Sequence, residues 1–436
     1  MTTTQTTTKR TLVLITAIMA ILTAASFSIT AKPAHAATTF TVNNTTDPGN
    51  GICDTSGCSL REAITAANST PNSGGPDLIH FAVPGTGVKT IKPATELPAI
   101  TEAVTIDGYT QTGASPNTLS KGTNANLMIE LDGSGAGFTD DGLSIPASNV
   151  VIRGLVINRF GHDGINTESA SVTTNIRIEG NFIGTDPSGT LDLGNQTGMR
   201  IEDTSNTKVG GTSPEARNLV SGNDFKGVRV VLSSGVQVNG NLIGTKADGV
   251  KPLPNSGDGV EIFDADNTLV GGRVLGSGNT IAFNGGNGVR IIGAASSANN
   301  AVILNSVFSN GSLGIDLSSD GKTPNDPDDA DVGPNDLQNF PLITSAKTTR
   351  KGTTIKGILD STPSTTFDID FYANPRGTDE GKTFAGGRTV TTDADGDASF
   401  FYKLPKKVRG GTMTATATNW SNNTSEFSAP RKVRRV

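Results

Sequence analysis

Residues 181–189 read NFIGTDPSG and residues 241–249 read NLIGTKADG, so one nine-residue pattern returns after sixty positions. Repetition at such an interval is typical of proteins built from stacked, similar coils. A shorter unit, a glycine followed by an alternating apolar, variable and apolar stretch, recurs around these segments. Its glycines are Gly142, Gly164, Gly198, Gly227, Gly259, Gly288 and Gly314. Because alternation with period two is typical of strands, the repeats predict an all-β solenoid of short parallel strands.

The repeats also predict sharp corners between the strands. One coil cannot bury its apolar face alone, whereas coils stacked roughly 4.8 Å apart form a column of Val, Ile and Leu. We expect glycine at the corners because a sharp bend often needs a positive φ. Asparagine tolerates the same conformation, which predicts corner positions for Asn181, Asn223, Asn241, Asn284 and Asn305. A content of 53 glycines and 17% charged residues fits many short strands and turns.

The first 36 residues have the pattern of an export signal. A basic start precedes an apolar run over residues 12–25, and residues 34–36 read AHA, with small residues where a signal peptidase cleaves. A membrane anchor is the alternative, but the run is rich in Thr and Ala and ends in a cleavage-like site. The segment holds three basic and no acidic residues, so a mature chain starting near Ala37 would carry a formal charge of −9 instead of −6.

This charge and the later sequence bear on location and partners. An acidic chain is a poor nucleic-acid binder, so we expect no nucleic-acid partner. No run after the signal is long and apolar enough for a membrane span. We therefore expect a secreted or cell-surface protein, and we expect it to be a monomer.

Residues 37–110 are interpreted as an N-terminal cap with the first coils. Cys53 and Cys58 are the only cysteines, and in an oxidising compartment they can pair across a tight loop. A metal site is the alternative, but it would need further ligands nearby. Ser59 and Glu62 form a capping-box pattern, which predicts a short helix. Such a helix would shield the raw strand edge that a solenoid exposes at its end.

Residues 58–63 read CSLREA, the signature after which the bacterial CSLREA-domain proteins are named, and the chain resembles that family over most of residues 38–430. The resemblance implies an exported protein whose signature precedes right-handed parallel β-helix repeats of the pectate-lyase-like superfamily. The segments ending GNFIGT and GNLIGT resemble those repeats. The family is not defined by an activity, so the resemblance bears on the fold rather than on function.

We assign residues 111–317 to the parallel β-helix, 318–341 to an acidic linker or closing loop, 342–430 to a small antiparallel β-sandwich and 431–436 to a solvated basic tail. We expect no cofactor and assign no metal site, but calcium stays possible in the acidic loop. The aspartates of that loop are Asp320, Asp326, Asp328, Asp329, Asp331 and Asp336. Residues 393–397 read DADGD; because the spacing fits no calcium loop, we predict a hairpin turn there.

Four residues resemble the acids and histidine of polygalacturonase-type hydrolases on neighbouring coils. They are Asp140, Asp141, His162 and Asp163. Inverting hydrolysis needs one carboxyl group as acid and another as base, with room for a water. However, the Asp-Gly pairs belong to the corner series of the scaffold, and the Arg-x-Lys of that family is replaced by RIE at residues 200–202. We therefore do not assign catalysis to these residues.

The variable position of the recurring unit predicts a ladder of charged side chains on one face. Its members are Arg200, Arg229, Glu261 and Arg290. Such a ladder could hold the carboxylates of an acidic sugar polymer. The alternative is a solvated face on which Glu261 pairs with Arg229 and Arg290.

Two functional hypotheses follow. The preferred one is a secreted or cell-surface protein, not a catalyst, whose rigid face binds an extracellular or cell-wall polysaccharide or serves adhesion. The alternative is a polysaccharide lyase or glycoside hydrolase that acts on an acidic polysaccharide.

Overall fold

The computed structural model describes residues 37–436 except residues 73, 295, 296, 405 and 409, so the predicted export signal lies outside the described residues. The chain folds into a right-handed parallel β-helix with a short helix at its N-terminal end and a β-sandwich at its C-terminal end. The predicted fold class is confirmed. Within the described residues, no helix is long and apolar enough to cross a membrane.

Most coils contribute one strand to each of three parallel sheets, which the chain visits in a fixed order. The described strands of the first sheet are Thr39–Val42, Asp77–Phe81, Val104–Asp107, Val151–Arg153, Arg177–Glu179, Lys208–Gly210, Gln237–Asn239, Leu269–Gly271 and Ala301–Ile303. Those of the second sheet are Lys89–Ile91, Ile129–Asp132, Leu155–Asn158, Phe182–Ile183, Leu219–Val220, Leu242–Ile243, Thr280–Ala282 and Ser306–Phe308. Those of the third sheet are Leu143–Ser144, Asp163–Asn166, Thr197–Glu202, Val228–Val231, Val260–Phe263, Val289–Ile292 and Ile315–Leu317. Thr173–Thr174 and Thr204–Ser205 form a further parallel pair.

Aliphatic side chains stack in register along the axis of the β-helix. In the first sheet, one column is formed by Ile79, Ile106, Ile152, Ile178, Val209, Val238, Val270 and Val302. All of them are buried. Burial of one such side chain contributes about 1.5–3 kcal/mol, so the repeated apolar positions of the sequence account for the core.

The recurring glycines are explained by close packing between coils rather than by a left-handed backbone. None of the seven has a positive φ, so the reason predicted for them is wrong. A Cβ atom on Gly198 would lie 2.6 Å from the carbonyl oxygen of Gly227, and one on Gly227 would lie 2.6 Å from that of Gly259. Positive φ occurs instead at other corner glycines, among them Gly180 and Gly240.

The corner asparagines form two buried ladders that run along the axis. Asn181, Asn223, Asn241, Asn284 and Asn305 do lie at corners, but none has a positive φ, so that explanation is also wrong. The first ladder is Asn181, Asn218, Asn241, Asn279 and Asn305; the second is Asn195, Asn223, Asn255, Asn284 and Asn310. In both, Nδ2 of each residue donates to Oδ1 of the next over 2.8–3.3 Å.

Helix α1, Leu60–Ser69, covers the N-terminal end of the β-helix. The backbone N–H of Glu62 donates to Oγ of Ser59, and Oε2 of Glu62 accepts from the N–H of Ser59, so the predicted capping box is confirmed. Cys53 and Cys58 form a disulfide, as predicted. The buried apolar face of the helix consists of Leu60, Ala63, Ile64 and Ala67.

The remaining polar residue of the CSLREA signature also has a structural role. The guanidinium group of Arg61 donates to the carboxylate of Asp47 and to the carbonyl oxygens of Thr95 and Glu96. The side chain therefore joins the segment before the disulfide loop, the helix and a later coil. In this chain the signature builds an end cap.

The C-terminal module is a sandwich of two four-stranded sheets. One sheet contains Asp397–Leu404, Gly352–Asp360, Leu342–Thr349 and Arg434–Arg435; the other contains Thr383–Thr391, Thr366–Asn374, Thr412–Asn419 and Arg431–Lys432. The pairing is antiparallel except between Leu342–Thr349 and Arg434–Arg435. Residues 431–436 are thus part of the sandwich, so the prediction of a separate tail is wrong, although the basic side chains are exposed to solvent as predicted.

Residues 393–397 form a turn, but it is not a hairpin. Oδ1 of Asp393 accepts from the N–H groups of Asp395 and Asp397, as in a tight turn. The strands on either side, Thr383–Thr391 and Asp397–Leu404, belong to different sheets of the sandwich. The turn therefore carries the chain across the sandwich, a connection that local sequence does not distinguish from a hairpin.

The acidic segment 318–341 closes the β-helix and is not an extended linker. It contains two short 3-10 turns, Pro327–Asp329 and Pro334–Leu337. Asn335 is fully buried, accepts from the N–H of Asn300 and donates to its carbonyl oxygen. The segment thereby caps the last coil of the first sheet.

Candidate functional site

Asp141, His162 and Asp163 meet at the corner where the chain enters the third sheet. Nδ1 of His162 lies 2.7 Å from Oδ1 of Asp141 and 3.6 Å from Oδ2 of Asp163. Asp141 also accepts from the N–H of Asp163 over 3.0 Å and from Nδ2 of Asn166 over 2.9 Å. Asp140 does not join them, because its carboxylate accepts from the N–H of Gly137 in the preceding turn. The structure thus brings together three of the four predicted residues.

Burial and neighbouring charges together set the pKa values of this cluster. Burial and the charge of Asp141 raise the pKa of Asp163 to about 6, although His162 and Arg200 oppose the shift. Burial by itself would lower the pKa of His162, but the hydrogen bond that its imidazole donates to Asp141 and the charges of both aspartates raise it above its usual value. Burial and the charges of Asp141 and Asp140 also raise the pKa of the neighbouring Glu96.

The cluster does not have the geometry of an inverting glycosidase. One oxygen of Asp141 and one of Asp163 lie within 4.8 Å of each other, whereas inverting enzymes hold their carboxyl groups roughly 6.5–9.5 Å apart. Their side chains are only 8% and 4% exposed, against 34% for His162. A polymer could reach the imidazole but not the two acids. The same three ligand atoms form a set of the kind that transition-metal cations accept.

The predicted charge ladder forms, but it is neutralised. Arg200, Arg229, Glu261 and Arg290 are paired in register on successive strands of the third sheet. Glu261 is 1% exposed and accepts from Arg229 over 2.8 Å, from Arg290 and from Lys226. Arg200 pairs with Glu202. These contacts favour the alternative of a paired face over an open row of guanidinium groups.

Lys226 is a member of this network that the sequence interpretation missed. It lies at the corner before Gly227, is almost completely buried and bonds to Glu261. Burial lowers the pKa of Lys226, while the bond and charge of Glu261 oppose that shift. The corner series of the sequence contains this lysine, but only the stacking of coils shows that it faces Glu261.

The first sheet carries an open polar cleft of about 540 Å³ that no sequence motif indicated. Its floor follows the register of successive strands, from Arg177 through Lys208 to Gln237 and from Arg153 to Glu179. The segment from Gly211 to Ala216 forms a wall. A second cavity of about 180 Å³ shares residues with it and adds Tyr109 and Pro116. We define these two cavities together as the first-sheet cleft.

The charges of this cleft are mixed. Arg177 pairs with Glu179 over 2.6 Å, and Arg153 pairs with Asp107 over 2.6 Å. Nε of Arg153 is buried without a hydrogen-bond partner among the described residues. Lys208 is exposed and forms no ion pair within the described part of the chain. Alternation in the sequence places these side chains outward, but it does not show that a neighbouring loop walls them in.

A smaller aromatic cavity of about 450 Å³ lies beside the histidine corner. It is lined by Phe138, Phe160, Gly161, Gln196, Asp224 and Phe225. Phe138 is 80% exposed and Phe225 is 49% exposed. Exposed aromatic faces at a rigid corner can pack against the apolar face of a ligand ring, and no sequence motif indicated them.

The acidic closing segment brings together Asp326, Asp329 and Asp331, with one oxygen of each within 4.8 Å of the others. Burial raises the pKa of Asp329 to about 6, against the opposing hydrogen bonds from Ser361 and Asn339. The bond from Ser361 is 2.7 Å long and ties the segment to the sandwich, and the bond from Asn339, 2.8 Å long, lies within the segment. They account for Asp329 as a structural residue.

No family model and no curated protein matches this chain. Among solved structures, the enzymatically active domain of tailspike protein 2 from bacteriophage CBA120 is similar at 13% identity and a TM-score of 0.27, with 86% of this chain and 73% of that chain covered. Tailspike protein gp49 from Acinetobacter baumannii bacteriophage Fri1, a capsular polysaccharide depolymerase, is similar at 9% identity and a TM-score of 0.16, with 81% and 77% covered. At these scores the likeness supports no conclusion about the function of this chain.

Proposed function

We propose that the protein is an exported member of the CSLREA-domain proteins that binds an extracellular or cell-wall polysaccharide without cleaving it. The polymer would lie in the first-sheet cleft. The observation that carries this proposal is the cleft itself, because it is open, elongated across successive coils and lined by side chains that donate hydrogen bonds.

The lining fits a hydroxyl-rich ligand with carboxylate groups. Sites for small apolar ligands are lined mainly by hydrophobic side chains, whereas this lining combines Arg177, Lys208, Gln237 and Asn239. Amide groups both donate to and accept from hydroxyls, and Arg or Lys favours carboxylates. Tyr109 adds an aromatic ring at one end. Because strands repeat about every 4.8 Å, the cleft presents these donors at regular steps to a repeating polymer.

The geometry at the histidine corner supports the non-catalytic form of the proposal. Asp141 and Asp163 are buried and too close together for inverting hydrolysis, and the hydrogen bond between Asp141 and His162 holds the imidazole in place. The charge ladder is internally paired. Neither offers an open arrangement of acid and base to a polymer.

The experiment is binding of the secreted protein to pectate, alginate and glycosaminoglycans by isothermal titration calorimetry. For the ligand that binds, we expect the double variant Arg177→Gln/Lys208→Gln to bind about tenfold more weakly, because it loses charge-assisted hydrogen bonds. Lys251→Gln, an exposed lysine outside the cleft, is the matched control and should bind as the parent does. Unchanged affinity in the double variant would place the site elsewhere.

Two further arms separate the alternatives. If Phe225→Ala weakens binding while the double variant binds as the parent does, the polysaccharide site is the aromatic cavity instead of the first-sheet cleft. Product analysis after long incubation, with and without calcium, tests the hypothesis of a lyase or hydrolase. Unsaturated or new reducing ends that disappear in Asp141→Ala would replace binding by catalysis as the function.

A further inference from the structure

Residues 431–435 form two short strands, one at the edge of each sheet of the sandwich. Arg431–Lys432 pairs antiparallel with Thr412 and Met413 of one sheet, and Arg434–Arg435 pairs parallel with Lys347 and Thr348 of the other. Val433, between these two short strands, is 7% exposed and belongs to the sandwich core. The fold therefore holds the backbone on either side of Val433 in place, and the basic side chains extend from fixed positions.

These side chains line a pocket of about 920 Å³ that is rich in positive charge. Its cations come from separate segments of the module and are Arg350, Arg376, Lys407, Lys432, Arg434 and Arg435. All six are exposed, and no acidic side chain is among the described residues that line the pocket. Within the described residues none of the six takes part in an ion pair.

This concentration of charge is opposite to that of the whole chain, whose formal charge is −6. With six cations among its described lining residues, the pocket is strongly positive. By contrast, the cations Lys226 and Arg290 of the third sheet are paired with acids. Unpaired like charges in a concavity repel one another and focus the field on an incoming anion. Folding alone does not explain their convergence.

We propose that this pocket binds the phosphate groups of a phosphodiester-linked polyol or sugar polymer, such as an envelope glycopolymer. Arginine forks match phosphate oxygens in a bidentate manner, and lysine supplies a compact charge. Single-stranded nucleic acid is a poorer fit, because sites for it also need aromatic platforms for the bases, and no aromatic side chain lines the described pocket.

The experiment measures binding of the full chain to poly(glycerol phosphate), with inorganic phosphate, pectate and single-stranded DNA as comparison ligands. We expect tight, salt-sensitive binding of poly(glycerol phosphate) and weak binding of inorganic phosphate, since only a polymer engages several cations at once. The double variant Arg376→Gln/Lys407→Gln should bind about tenfold more weakly. Both substituted side chains lie in loops rather than in paired strands, so the variant is expected to fold.

The matched control is Lys351→Gln/Lys406→Gln, which removes two exposed lysines next to pocket residues but outside the pocket. It should leave the affinity unchanged. Equal weakening in both double variants would mean that only the overall charge matters and would overturn the proposal. Absence of binding, equal affinity for DNA, or pectate binding that weakens in Arg376→Gln/Lys407→Gln as much as poly(glycerol phosphate) binding does would overturn it too. Because the first-sheet cleft is not altered in these variants, the outcome is independent of the function proposed above.

Discussion

At the scale of single residues, Glu261 is the buried carboxylate of the third sheet to which Lys226, Arg229 and Arg290 all donate. Burial by itself raises the pKa of its carboxyl group, but the bonds and charges of Lys226, Arg290 and Arg229 outweigh burial and lower the pKa below its usual value. The carboxylate is 1% exposed, and the Lys226 side chain that faces it is 5% exposed. Removing both charges from water costs free energy, which only their mutual attraction offsets, so Glu261 and Lys226 depend on each other.

Substitution of Glu261 by Gln should therefore destabilise the protein strongly. Loss of one partner leaves Lys226 buried and uncompensated, which costs about 3–5 kcal/mol. Because the pKa of Glu261 is lowered on folding, its stabilisation is present above pH 4.5 and is lost as the pH falls through the folded-state value. The measurement is urea unfolding at pH 7 and at acidic pH. Glu168→Gln, at an exposed partner of Arg200, should cost at most about 1 kcal/mol; an equal loss in both variants would contradict the prediction.

The predictability of the site differs between its residues for a physical reason. The spacing of the repeats was sufficient to predict that Asp141 lies near His162 and that Arg229 aligns with Glu261, because stacking places equivalent positions next to each other. It did not reveal Lys226, which reaches Glu261 diagonally from a corner. The first-sheet cleft was also missed, since its wall comes from a loop whose path no local pattern encodes.

At the scale of elements, the two asparagine ladders hold the corners of the coils together. Asn241 shows how each member is satisfied: its Oδ1 accepts from Asn218, and its Nδ2 donates to Asn279 and to the carbonyl oxygen of Val209. Asn241 is also the first residue of the second copy of the nine-residue pattern. The asparagine of the pattern thus recurs because each coil must supply both a donor and an acceptor at the same corner.

Removal of one ladder member should weaken the stack beyond the loss of one contact. We expect Asn241→Ala to lower the free energy of unfolding by about 1–3 kcal/mol or more, since it leaves buried donors and acceptors unpaired on two neighbouring coils. Asn241→Asp should cost at least as much, because a carboxylate cannot donate. The measurement is chemical unfolding with hydrogen exchange at the adjacent coils. Asn124→Ala, in an exposed loop, should change stability by about 0.5 kcal/mol or less.

The sequence predicted these elements better than the reasons for their residues. Period-two alternation marked the strands, and the capping box marked helix α1, because both patterns are local. The roles of Gly227 and Asn241 were misassigned to positive φ. Both residues act through contacts with the next coil, and a contact between coils has no local signature.

At the scale of the whole molecule, the β-sandwich serves as the C-terminal cap of the β-helix. The carboxylate of Glu380 accepts from both nitrogens of Asn310, which ends the second asparagine ladder. Glu426 accepts from the N–H groups of Leu317 and Thr323 over 3.1 Å. The sequence predicted a separate sandwich module, but not that two of its buried acids complete the last coil, because these contacts join residues 70 to 109 positions apart.

The pH dependence of this junction is the final prediction. Burial raises the pKa of Glu426 from 4.5 to about 7, although the bonds from Leu317 and Thr323 oppose the shift. The folded protein therefore binds this proton more tightly than the unfolded chain does. The resulting stabilisation is complete below pH 4.5, is lost as the pH rises through about 7, and amounts to at most about 3 kcal/mol.

Glu426→Gln removes this titration, so the difference in unfolding free energy between parent and variant should vary with pH between 5 and 8 and stay constant above pH 8. Subtracting the two curves cancels the other buried acids whose pKa is raised, among them Asp163 and Asp329, because they titrate in both proteins. Scanning calorimetry across this range gives both curves. A difference that does not change with pH would show that Glu426 keeps its charge at the junction, in which case the closure of the β-helix would rest on its ionised carboxylate rather than on a neutral one.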